Sequence, residues 1–76
     1  MKTPRMLKPE KASKLNWRGE DGREIKIGSP ISVVRADGSI VEGNVTGFTA
    51  EHCVQVTDHE SKEVSYWFPQ SLTVLN

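Results

Sequence analysis

From residue 23 onward, apolar and polar side chains alternate with the period of two expected of strands that bury one face. Ile25 and Ile27 alternate with Glu24 and Lys26, which predicts a short strand or extended lead-in before Gly28-Ser29-Pro30 interrupts it. Residues 31–36, rich in β-branched side chains, predict a first full strand, and Asp37-Gly38 supplies the tight turn into a second over residues 39–48. On that second strand Val41 and Val45 share a face with Gly43 and Gly47, the predicted interior. The two glycines sit where a strand bends or another backbone comes close. A third strand follows over residues 53–57 with Val54 and Val56 inward, then a polar turn, DHESK. The fourth, residues 63–68, is predicted to turn Val64, Tyr66 and Phe68 inward and Trp67 outward, either onto an exposed interface or under the N-terminal arm against Leu15 or Trp17. Pro69 ends it, Gln70-Ser71-Leu72 has the length of one 3₁₀ turn, and residues 73–75 make a last short strand. The fold class is all-β: a small, strongly bent, five-stranded antiparallel barrel over residues 23–76.

Residues 1–22 have another texture. Pro4, Pro9, Gly19 and Gly22 punctuate a stretch with few large apolar side chains, too little surface to offset the entropy of ordering. A mostly disordered N-terminal arm is expected, with one short helix over residues 9–17 that Pro9 opens. Leu15 and Trp17 are its apolar side chains for capping the barrel.

With 76 residues the chain is one domain with a small core, burying about 60–65% of the surface of its unfolded form. One cysteine, Cys53, excludes an internal disulfide framework. No window approaches a membrane-spanning length, so a soluble, cytoplasmic protein without membrane contact is expected. The zero net charge divides unevenly. Residues 1–26 hold eight basic side chains against four acidic, a net of plus four, and residues 27–76 hold two against six, a net of minus four. A basic arm precedes an acidic body, which hints at polyanion contact through the arm, or at a solvated tail folded back on the body.

The run VVRADGSIVEGNVTGF resembles the first motif of Sm and Sm-like proteins, including the bacterial Sm-like RNA chaperone. There too a strand, an Asn-Gly or Asp-Gly turn and a Gly-polar-hydrophobic segment ending in Phe follow in order. The likeness covers residues 31–48; beyond them only strand spacing agrees. Phe68-Pro69-Gln70-Ser71-Leu72 stands where that family carries a basic RNA-contacting motif, so none of the family's contact residues is carried over. Trp67-Phe68-Pro69-Gln70-Ser71-Leu72 is also similar to the end of many SH3-like barrels. A fainter likeness is to type II dihydrofolate reductase, in the glycine-bearing strand and in Val64-Ser65-Tyr66-Trp67, where Ser65 replaces the glutamine of the reductase motif. The three resemblances imply one fold and different functions.

Catalytic chemistry has no support in the residues. The adjacent His52-Cys53 pair points to opposite faces of a strand, so with His59 it makes no metal site. Cys53 has no base at motif spacing, and no glycine loop has the phosphate-binding pattern. The chain is expected to be no enzyme and to need no cofactor. Two binding functions remain. In the first, Lys8, Lys11, Lys14 and Arg18 contact the phosphates of RNA or another single strand, while Trp67, Phe48 and Trp17 offer stacking surface. In the second, an edge strand or the Trp67 surface meets a protein partner or another copy, as an adaptor or self-assembling module.

Overall fold

The computed structural model describes residues 5–12 and 17–75. It contains a short helix α1 (Pro9–Ala12), five strands β1 (Pro30–Val34), β2 (Ile40–Phe48), β3 (Val54–Asp58), β4 (Val64–Trp67) and β5 (Thr73–Val74), and a 3₁₀ turn (Pro69–Ser71) before β5. The strands form one antiparallel sheet in the order β4-β3-β2-β1-β5. The chain is therefore all-β, as its alternation predicts, with β4 and β5 as the two edges. At nine residues β2 is long enough to belong to both halves of the sheet: its start and middle pair with β1, its middle and end with β3.

Local chemistry explains the turns. In the β1–β2 hairpin Gly38 adopts φ +90, which a side chain would resist, and donates its N–H to Arg35 O at 2.9 Å. Arg35 N–H donates to Ser39 O at 2.8 Å, the pattern of a three-residue loop. The Asp37 carboxylate accepts the Ser39 hydroxyl at 2.7 Å and the Ser39 N–H at 2.9 Å. Those bonds hold its pKa below the usual carboxylate range. At Gly43 a Cβ would run into the Thr57 carbonyl, so only glycine lets β3 approach there. The register slips between Val45 and Gly47, a bulge of the kind that bends a strand.

The core takes the predicted face of β2, with Val41 and Val45 buried, and adds Ile31, Val33, Val54, Val56, Leu72 and Val74. Two expectations are corrected. On β4 the faces are reversed: Trp67 packs against the core and its indole N–H donates to Ser65 Oγ at 2.8 Å, while Val64, Tyr66 and Phe68 are exposed. Register is the cause. Ser65 pairs with Val56 and Trp67 with Val54, and paired residues share a face, so the buried valines of β3 draw Ser65 and Trp67 inward.

The second correction concerns the expected arm, whose described residues lie on the sheet. Leu7 N–H donates to Phe48 O at 2.7 Å, Ala50 N–H to Arg5 O at 2.8 Å, and Met6 bridges to Thr49. Ile25 N–H donates to Trp17 O at 2.7 Å, and Trp17 is only 4% exposed. The packed body thus includes residues before 23. Backbone pairing and one large aromatic order a segment whose composition alone is too polar to bury itself. Of the helix expected over 9–17, Pro9–Ala12 is helical; Lys14 and Leu15 lie outside the described residues.

Candidate nucleic-acid interface

Three chain segments meet where β2 ends. Trp17 is their floor: its ring stacks on Phe48 with centroids 4.4 Å apart and an interplanar angle of 28°. Its indole N–H donates to Ala12 O at 3.0 Å, which ties α1 to the same place. Above it, residues 49–53 form a tight loop around buried Thr49, whose Oγ1 accepts the Cys53 N–H at 3.0 Å and whose carbonyl accepts the His52 N–H at 3.2 Å. The loop sets His52 at φ 67, a left-handed conformation that histidine enters more readily than most residues, with its ring centroid 5.6 Å from that of Trp17. From the far side, Pro69 stops β4 and starts the 3₁₀ turn, leaving Phe68 63% exposed.

Trp17, Arg18, Gly19, His52, Phe68, Pro69 and Gln70 line an open cleft of about 480 Å³. That is the size range of small-ligand sites. Arg18 Nη1 donates to Gly22 O at 2.9 Å, which steadies the guanidinium, and among the described residues no carboxylate pairs with it. The cleft combines an exposed aromatic face, a cation, an imidazole and the Gln70 amide. Such a set suits a flat, polar, anionic ligand.

The expected site residues divide in three. Arg18 lines the cleft; Lys8 and Lys11 are exposed on and beside α1, which the Trp17–Ala12 bond holds to the same end of the sheet. Trp17 and Phe48 are both 4% exposed and stack on each other, so they support the cleft rather than offer stacking surface. Trp67, packed on the core, yields that place to Phe68. Phe68, His52 and Gln70 line the cleft without having been expected there from the sequence. Their signals were present: an aromatic directly before a strand-ending proline, and a histidine in a short polar loop.

A second, smaller cleft of about 230 Å³ lies where β2 begins, lined by Ile40, Glu42, Asp58, His59 and Glu60. His59 Nδ1 is 2.9 Å from Glu42 O, and its Nε2 is 4.0 Å from Glu60 Oε1. The Asp58 carboxylate accepts the N–H groups of Glu60 at 2.8 Å and Ser61 at 3.1 Å, the latter first in holding its pKa below the usual range. This carboxylate is committed to building the turn. Among the described residues no group of histidine, cysteine and carboxylate side chains is placed to hold a metal ion. No protein-family model matches this chain, and no curated protein matches it.

Proposed function

We propose that the chain is a non-catalytic binding module, a small SH3-like barrel that holds single-stranded nucleic acid, RNA foremost, at the Phe68 cleft. The barrel reading draws on the strand order β5-β1-β2-β3-β4, on a long β2 shared by both halves, and on a single 3₁₀ turn between β4 and β5. The observation that carries the functional reading is the exposed Phe68 ring in a cleft with Arg18 and His52. Every base has a π-face, so an exposed ring beside cations takes single strands with little regard to sequence. Arg18, Lys8 and Lys11 would meet phosphates, and the Gln70 amide would meet base edges. The acidic side chains around Glu42 and Asp58 stand at the other end of β2, away from the backbone such a strand would follow.

The test is fluorescence anisotropy of a labelled ten-nucleotide oligouridylate titrated with the protein over a range of salt. Binding is expected to weaken with salt, with log K falling by about 0.7 per phosphate contact for each unit of log salt. No binding at low salt, or binding indifferent to salt, would overturn the reading. The alternative, a protein-binding or self-assembling adaptor without a nucleic-acid role, draws on the open edge of β4.

A further inference from the structure

The β4 edge has an unusual combination of free backbone and bare chemistry. Asp58 N–H donates to Glu63 O at 2.9 Å, closing the turn and marking Asp58 and Glu63 as a hydrogen-bonding position of the β3–β4 ladder. Such pairs alternate along an antiparallel ladder, so Ser65 and Trp67 also spend their backbone groups on β3, and Val64 and Tyr66 point theirs away from the sheet. Among the described residues nothing meets these two N–H and two C=O groups. Their side chains are apolar and exposed, Val64 by 49% and Tyr66 by 38%. No charged residue occurs from position 64 to the end of the given sequence. Sheet edges are ordinarily blunted by lysine, inward charge or a covering segment, and among the described residues β4 has none of these, only its four-residue length and the Pro69 that follows it.

The opposite edge differs. β5 is two residues long, and at its start Glu20 N–H donates to Leu72 O at 2.8 Å while Thr73 Oγ1 donates to Glu20 Oε1 at 2.8 Å. The segment around Glu20 thus covers the approach to β5. A head-to-tail contact of β4 on β5 would have to displace it. What remains is β4 on β4.

We infer that β4 is a homodimer interface, in which two copies pair antiparallel across a two-fold axis at Ser65. In that register Val64 of one copy lies opposite Tyr66 of the other, twice. The two donors and two acceptors of each copy are all used, an isologous contact that closes on itself. Val64–Tyr66 pairs bring a β-branched side chain against an aromatic one on the same face, a favourable cross-strand combination. A second copy brings an equally uncharged strand, so the pairing opposes no like charges along it. Phe68 lies beyond the paired stretch, and the inference does not depend on the nucleic-acid reading.

Analytical ultracentrifugation of the full chain over rising concentration tests this. The mass is expected to climb from 8.5 kDa to twice that and stop. Tyr66→Lys and Val64→Lys, at exposed positions, are expected to keep the wild-type circular dichroism and to hold the monomer mass where wild type is fully paired. Ile40→Lys, exposed on β2, is expected to dimerise as wild type does. The register has its own test, since residues facing each other at a non-hydrogen-bonded pair have Cα atoms about 4.5 Å apart, within the disulfide range of about 4.4–6.8 Å. With Cys53→Ser removing the native thiol, Ser65→Cys is expected to cross-link into a covalent dimer under mild oxidation. A wild-type mass that stays monomeric, a mass that rises past the dimer, or dimers unaffected by both lysine variants would overturn the inference.

Discussion

The two ends of β2 each carry a histidine in a cleft, with different linings. At the far end His52 faces the Trp17 ring, with Arg18 beside it and the exposed Lys8 and Lys11 on and beside the helix tied to that ring. At the near end His59 sits among Glu42, Asp58 and Glu60. About 20 Å separates Glu42 from Phe48 along the strand, at about 3.3 Å per residue. The difference between them also lies in what the polar groups are already doing. Asp58 is occupied by the N–H groups of its own turn and the His59 ring by the Glu42 carbonyl, whereas Phe68 is exposed and the Arg18 charge has no carboxylate partner among the described residues. The acidic end builds a turn; the other end has side chains to spare for a ligand.

The largest effect is expected at Trp17, on which the cleft end rests. Trp17→Ala removes a buried ring that joins α1, β2 and the 49–53 loop, and should cost about 3–5 kcal/mol in urea denaturation. That is a large share of a small domain's stability. An unchanged denaturation midpoint would show that Trp17 is not a core residue. Phe68→Ala should separate binding from folding. The ring is mostly exposed, so the denaturation midpoint should hardly move, while oligouridylate binding should weaken by about 1–3 kcal/mol if one base stacks on it. Arg18→Gln should have a smaller effect of another kind, reducing the salt slope of log K by about 0.7 for one lost phosphate contact.

Acid should produce the smallest effect, and at the other end. The pKa values of Asp37 and Asp58 are lowered in the folded chain by the hydrogen bonds of their turns. Each contribution is full above the unfolded value of about 3.9 and is lost as pH falls through the lower folded value. Amide exchange at Ser39, Glu60 and Ser61 should therefore speed up relative to the core as pH drops below about 4, with the Phe68 cleft unaffected. Asp58→Asn should remove that pH dependence at Glu60 and Ser61 only.

Most of the strands were legible in the sequence from the alternation of buried apolar and exposed positions; β2 shows this most clearly, with Val41 and Val45 inside and Glu42 and Asn44 outside. β4 defeats the same reasoning. Val64, Tyr66 and Phe68 occupy one face and Trp67 the other, so both are apolar and only pairing with Val54 and Val56 decides. The cleft was illegible for a related reason. Its residues come from 17–19, 52 and 68–70, three segments that no spacing rule connects. Arg18 was visible as one basic residue of an arm, but its place depends on Trp17 being drawn into the core.

Ligand binding at the Phe68 cleft is tested most directly by a ¹H–¹⁵N correlation spectrum of the 76-residue chain titrated with a short single-stranded oligouridylate. Shifts are expected to concentrate at Arg18, His52, Phe68 and Gln70, including the Gln70 side-chain amide, with Glu42, His59 and Glu60 unmoved. Shifts centred on the acidic end, or none anywhere at low salt, would contradict it.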